Sequence, residues 1–207
     1  MNTIEHSFCS SALWRYFSER HLLPWVLAGN PLGEHALEIG AGYGPATRFL
    51  RGRVERVTAL EYDWGSMMTL MAQHEGDVIS VVCGDGTQLP FATETFSSVV
   101  AILVLHHLKT AESQDRMLSE VMRVLRPGGV FVGFEITDGW MNRMVHMGST
   151  FTPFSPVAAF GRLTATGFAK ISVNIRSGAF RFSARKMRGS ESRRRSGDRR
   201  SREGRAC

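Results

Sequence analysis

Apolar and polar positions fall into short apolar runs separated by longer amphipathic stretches. The runs His35–Ile39, Val57–Glu61, Val78–Cys83, Phe96–Val104 and Val130–Glu135 predict five strands. Phe96–Val104 is almost entirely apolar, as a strand covered on both faces must be. Between the runs, Pro45–Arg51, Trp64–His74 and Ala111–Leu125 predict helices. Leu118, Val121, Met122 and Leu125 share one face of the last, and Arg126, Pro127, Gly128 and Gly129 stop it. Strand and helix alternate, which is the pattern of a parallel sheet with crossover helices.

The flanks read differently. Ser10–Ala28 carries Leu13, Trp14, Phe17, Leu22, Leu23, Trp25 and Val26 and predicts an amphipathic helix or a pair of helices, a cap formed from residues 1–30. Residues 139–156 are rich in Met, Phe, Gly and Pro and predict a loop or short lid. A helix follows near Pro156–Ala165, ended by Gly167. Ala169–Ile175 and Ala179–Arg185 then form a hairpin through Ser177 and Gly178.

Composition changes this picture at one place. The net charge of +6 suggests a nucleic-acid binder until the charge is located. Residues 186–207 hold nine Lys/Arg and three acids, so they carry the whole excess, and residues 1–185 are neutral. The tail is low-complexity, lacks core residues and is expected to be disordered. Residues 31–185 then form one domain. Cys9, Cys83 and Cys207 have neither metal nor disulfide spacing, so no metal site is expected. The N-terminus has no basic run ahead of an apolar block, and no segment is long enough to span a bilayer. These features point to a reducing cytoplasm.

The strongest chemical signal is ALEIGAGYGPAT, Ala36–Thr47. A strand runs into Gly40, Gly42 and Gly44 and then into a helix, whose N-terminus offers free N–H groups. A dinucleotide fingerprint needs Gly-x-Gly-x-x-Gly. Here the third glycine comes one residue early, Pro45 takes its place, and Glu38 stands two residues before Gly40. That carboxylate would repel a pyrophosphate and attract a cationic amine. Glu61, 21 residues after Gly40, closes the second strand where an acid accepts ribose hydroxyls, with Asp63 as its competitor. Gly84, Asp85 and Gly86 close the third strand, where a carboxylate can accept the adenine amino group.

The set LEIGAGYG, LEYD, CGDGTQLPF, FSSVVAILVLHHL and VMRVLRPGGVFV resembles the class I S-adenosylmethionine-dependent methyltransferases, most of all the type 11 branch that includes quinone-biosynthesis enzymes. The resemblance covers residues 35–135, more loosely to 185. It implies a doubly wound, Rossmann-like α/β sheet of seven strands, mostly parallel, with the last strand antiparallel. It implies S-adenosyl-L-methionine as cofactor. Glu38, Gly40, Gly42 and Gly44 would line its methionine part, Glu61 the ribose, and Asp85 and Gly86 the adenine, with Leu89 near the ring. Leu103 to His107 would face the methionine part and the acceptor. Tyr43 departs from the family, which often has a small residue there.

Such chemistry needs alignment more than machinery. His106 and His107, at the end of the fourth strand, are the candidate general bases. The expected acceptor is a small or lipid-like molecule, apolar or aromatic. A nucleic-acid methyltransferase anchored by the basic tail is one alternative. It is disfavoured by the neutral body and by Leu105, His106, His107 and Leu108 where an Asn/Asp-Pro-Pro-Tyr/Phe motif would stand. The tail would equally suit an acidic membrane surface. A cofactor-binding module without turnover is the other alternative. Each feature also has a plainer reading: a tight turn for the glycines, a turn residue for Asp85, packing for the histidines and for Met141, Met144 and Met147.

Overall fold

The computed structural model describes residues 10–74 and 79–188. The tail from residue 189 onward, Val78 at the head of the third strand, and two of the three cysteines, Cys9 and Cys207, lie outside the described residues.

The N-terminal segment opens with α1 (Ala12–Phe17), capped by Ser11, whose Oγ accepts the Trp14 N–H at 3.1 Å. One wide π turn, Ser18–Leu22, leads straight into α2 (Leu23–Leu27). Pro24 explains the turn: it has no N–H, and its ring would strike the carbonyl four residues back in a regular helix. The segment is therefore one bent helix rather than a clean pair.

Among the described residues seven strands follow: β1 (His35–Ile39), β2 (Arg56–Glu61), β3 (Ile79–Cys83), β4 (Phe96–Ile102), β5 (Leu125–Ile136), β6 (Ala169–Arg176) and β7 (Ala179–Arg185). The helices between them are α3 (Pro45–Arg51), α4 (Trp64–Gln73), α5 (Ala111–Val124), α6 (Trp140–Val145) and α7 (Pro156–Thr166). Thr110 caps α5 and Ser155 caps α7, and Gly167 ends α7 in the left-handed conformation at φ +100°. The spatial order is β3-β2-β1-β4-β5-β7-β6. β7 alone runs antiparallel, slotted between β5 and β6. The expected seven-stranded, mostly parallel sheet with an antiparallel last strand is the fold. Strand order reverses between β1 and β4, and open α/β sheets bind ligands in the crevice at that point.

Beyond one-residue shifts at element ends, three stretches differ from expectation. β4 stops at Ile102, not Val104, because Leu103 turns left-handed at φ +59°. Helix α5 ends at Val124, and β5 starts at once with Leu125 paired to Phe96. Arg126–Gly129 thus form an irregular entry into the strand, not a helix stop followed by a loop; Gly128 N donates to Lys186 O and Lys186 N to Gly129 O. The stretch 139–156 contains the short helix α6.

The sheet is packed on both faces. Leu37, Ile39, Val99, Phe131, Phe180 and Phe182 meet Met117, Leu118 and Val121 of α5 and Leu163 of α7. On the other face Val57, Val100, Val132 and Phe134 meet Leu22, Leu23, Val26 and Leu27 of the N-terminal segment and Phe49 and Leu50 of α3. No helix among the described residues is long and apolar enough to cross a membrane.

One core position is held to a single residue type. Gly133 of β5 lies opposite Phe182 of β7, and a Cβ at Gly133 would stand 2.1 Å from the Phe182 ring. Gly133→Ala is expected to cost about 1–3 kcal/mol of stability, because the ring cannot move aside in a filled core. Urea unfolding of the variant measures it, and an unchanged midpoint would show that the Phe182 ring has room to shift.

Candidate active site

The glycine turn after β1 is built by three glycines with different duties. The N–H groups of Gly40 and Ala41 both donate to Leu60 O, at 2.8 and 3.2 Å, which folds the turn back over β2. Gly40 has φ +70°, and a Cβ there would meet Val104 at 2.6 Å. Gly44 has φ +82°, caps α3, and would meet Leu70 at 2.6 Å. These two serve close packing. Gly42, at φ +53°, has nothing within 4 Å of the corresponding position. Its missing side chain leaves open space.

Glu61 ties this turn to the end of β2. Its Oε2 accepts the Gly42 N–H at 2.7 Å and its Oε1 the Asp63 N–H at 2.9 Å. Asp63, the competing acid, is a helix cap: its Oδ1 accepts the Ser66 N–H at 2.8 Å and starts α4. At the end of β3, Asp85 is exposed and its Oδ1 accepts both the N–H and the hydroxyl of Thr87 at 2.8 Å. Gly86 lies close against Ile39, 3.1 Å from the position of its absent Cβ. Tyr43 is half-buried in the turn.

Glu38 has a different character from the one its position suggests. It is buried beneath the turn, and its Oε2 accepts the Thr47 hydroxyl at 2.5 Å. Burial pushes its carboxyl up to about 8, against the pull of the Thr47 hydrogen bond and with a further push from nearby Glu61. At neutral pH it is predominantly the neutral acid. Any attraction to a cationic amine therefore has to draw a proton off Glu38 first.

Beyond β4 the chain makes a left-handed step at Leu103, whose N–H donates to Phe134 O at 2.8 Å, and then a 3-10 turn over Leu105–His107. Glu135, fully buried at the end of β5, holds this turn. Its Oε1 accepts the N–H groups of Val104 and Leu105 at 2.9 and 2.7 Å, and its Oε2 pairs with His106 Nδ1 at 2.5 Å. Gln114 of α5, also buried, donates to Leu105 O and Thr152 O at 2.9 and 3.0 Å. His106 is buried and His107 half-buried.

The structure thus brings the ends of β1, β2 and β4 together at one end of the sheet: the Gly42 N–H is on Glu61, and Val104 lies where a side chain at Gly40 would stand. Four residues outside the sequence expectation support it: Thr47, Gln114, Glu135 and His146. Only Glu135 had a readable signal, an acid closing an apolar strand as Glu61 does. His146 lies 39 residues beyond His107, and no spacing rule links them.

Glu38 makes stability depend on pH. Its folded-state value is raised from 4.5 to about 8, so the folded protein holds a proton that the unfolded chain releases. That contribution is present below about pH 4.5 and is lost as pH rises through about 8, a change on the order of 5 kcal/mol at most. Glu38→Gln is expected to flatten this slope and to make the protein more stable than the parent at pH 9. Urea unfolding at pH 6 and pH 9 checks it; equal slopes in the two proteins would show that Glu38 is ionised in the fold.

Comparison with known proteins adds to this geometry. Residues 37–133 match the methyltransferase domain family. Demethylmenaquinone methyltransferase of Thermobifida fusca is 34% identical over 104 residues, covering 48% of this chain and 42% of the relative. The tRNA (carboxymethyluridine(34)-5-O)-methyltransferase of Saccharomyces cerevisiae is 26% identical over 148 residues, covering 68% of this chain and 52% of the relative. The chain spans roughly a third to a half of the length of the first curated relatives it matches. Among solved structures, Haemonchus contortus phosphoethanolamine N-methyltransferase 2, in complex with S-adenosyl-L-methionine, superimposes with a TM-score of 0.68 at 14% identity. That match covers 84% of this chain and 60% of the other. Strand order, the linked motifs and the matched domain agree: residues 37–133 match the methyltransferase domain, and the chain is similar to the class I S-adenosylmethionine-dependent methyltransferases of the type 11 branch.

Proposed function

We propose that this chain transfers the methyl group of S-adenosylmethionine to a small, apolar or aromatic acceptor in the crevice above β1 and β4. The observation that carries the reading is Glu61, whose carboxylate is set by the N–H groups of Gly42 and Asp63 beside the one glycine of the turn that faces open space. A nucleoside could lie against Gly42 with its ribose hydroxyls on Glu61 and its base near Asp85 and Gly86. Glu38, Gly40, Gly44 and Leu103 would shape the part of the crevice that takes the amino-acid end. The residues present fit the cofactor.

When bound, S-adenosylmethionine supplies a methyl group already activated by a positively charged sulfur. The protein's task is alignment of acceptor, methyl and sulfur, an effect of about 7–11 kcal/mol in favourable cases. His107, half-buried, is the better placed of the two candidate bases; His106 is buried with Nδ1 on Glu135 and would position the turn or pass a proton inward. Trp140 and Met144 on α6, and Met147 just beyond, expose apolar side chains beside this end of the sheet and support an apolar acceptor. A nucleic-acid acceptor is the second reading. It is favoured by the likeness to a tRNA methyltransferase and by the arginines after residue 188.

Calorimetric titration with S-adenosylmethionine and S-adenosylhomocysteine, with NAD as control, tests the cofactor. Labelled methyl transfer to phenols, quinols and sterols, against tRNA, tests the acceptor. Saturable binding of the first two ligands and transfer to a small molecule are expected; transfer to tRNA alone would replace this reading by the second. Within the site, Glu61→Ala is expected to weaken S-adenosylmethionine binding about ten- to a hundredfold, the loss of hydrogen bonds to a carboxylate. Asp63→Ala is expected to cost about 1 kcal/mol of stability as a lost cap and to leave affinity alone. The reverse pattern would move the ribose to Asp63.

A further inference from the structure

We propose that His106, His107 and His146 form a site for a divalent transition metal ion of the zinc class. Each offers one ring nitrogen, and the three ligand atoms lie within 4.8 Å of one another. The rings are mutually close, with centroids 4.1 Å apart for His106–His107, 5.1 Å for His106–His146 and 5.7 Å for His107–His146. Imidazole nitrogens bind zinc at about 2.0–2.1 Å. Tetrahedral ligands at that distance stand about 3.4 Å apart, so closing the three nitrogens onto one ion requires a contraction of at most about 1.4 Å, by side-chain rotation.

Proximity alone would describe stacked histidines. The surrounding hydrogen bonds say more. Ligating histidines almost always commit their second nitrogen to a carboxylate or a backbone carbonyl, which fixes ring orientation and tautomer. His106 Nδ1 is on Glu135 Oε2 at 2.5 Å, with both side chains buried. His146 Nδ1 is on Asn142 O at 2.7 Å. These two partners assign ligation to Nε2 in both rings. Phe151 packs against His146 and His106, at 4.7 and 5.7 Å between centroids, and supplies an apolar wall of the kind that shields a metal site.

Three histidines without a carboxylate in the shell suit zinc and its neighbours cobalt, nickel and copper rather than magnesium or calcium. Three protein ligands leave the fourth tetrahedral position for water or for an oxygen of the acceptor. That last assignment rests on the proposed methyl transfer, and with the metal bound His107 is a ligand in place of the candidate base; the metal site itself does not rest on that reading.

The test uses the full chain, stripped with a chelator, with Cys9, Cys83 and Cys207 replaced by serine so that thiols do not compete. Zinc is titrated by calorimetry and cobalt by absorbance. One equivalent of saturable binding and the visible bands of a tetrahedral cobalt centre are expected. His146→Ala and, separately, His107→Gln should each weaken binding by at least about tenfold, and Glu135→Gln by about 10–100-fold, while His21→Ala changes nothing. Because His107 is half-buried, its variant tests the site even where His146→Ala fails to fold. Absence of saturable binding, or affinity unchanged in both ligand variants, overturns the site. S-adenosylmethionine titration of the metal-free protein is run in parallel. Failure there with zinc binding intact counts against the methyl-transfer reading alone, and the converse counts against the metal alone.

Discussion

The carboxylate of Glu135 receives three donors in a place with no access to water, and the crevice depends on it. Two are the N–H groups of Val104 and Leu105, which leave the ladder when β4 ends; the third is His106. Unpaired, each buried amide would cost about 1–3 kcal/mol. The bond also sets where Val104 points, and Val104 fills the space that any side chain at Gly40 would need. Gly40 in turn fixes the glycine turn, the turn presents Gly42, and Gly42 holds Glu61. One buried acid at the end of β5 thus orders, through neighbours, residues at the ends of β4, β1 and β2.

The two other acids near these strand ends, both buried, divide by their hydrogen-bond partners. Glu38 lies under the turn, hydrogen-bonded to Thr47 and held near neutrality by its surroundings, so it acts as a packed polar strut. Glu61 has both oxygens oriented by backbone donors, the N–H groups of Gly42 and Asp63. Both stand near strand ends in the sequence and look interchangeable there. Their partners separate them, a side-chain hydroxyl for Glu38 and two backbone N–H groups for Glu61, and those partners are set by the fold.

Much of the architecture was legible because its signals are local. Apolar runs marked every strand of the parallel part, and Ser177–Gly178 marked the hairpin. Pro45 and the glycine spacing identified the turn. Legibility failed where a long-range contact decided. Nothing near Val104 announces that β4 stops at Ile102; Glu135, about thirty residues on, takes over the amides that the sheet releases. Arg126–Gly129 look like a helix stop, yet pairing with Phe96 and Lys186 draws them into a strand. Asp63 competes with Glu61 for one role in the sequence, and only the fold shows that it caps α4 through the Ser66 N–H. The histidine cluster was invisible for the same reason: His146 joins it only through the path of α6.

The insertion of β7 between β5 and β6 has a consequence for the chain as it leaves the ribosome. β5 is complete by Ile136, but its second neighbour is the last of the described strands to be made, at Ala179–Arg185. Synthesis proceeds at about 5–20 residues per second, so the long apolar edge of β5 stands unpaired for several seconds. During that interval the nascent protein is most exposed to aggregation. A ribosome that stops short of Arg185 releases a molecule whose glycine turn is present but whose sheet has an open side.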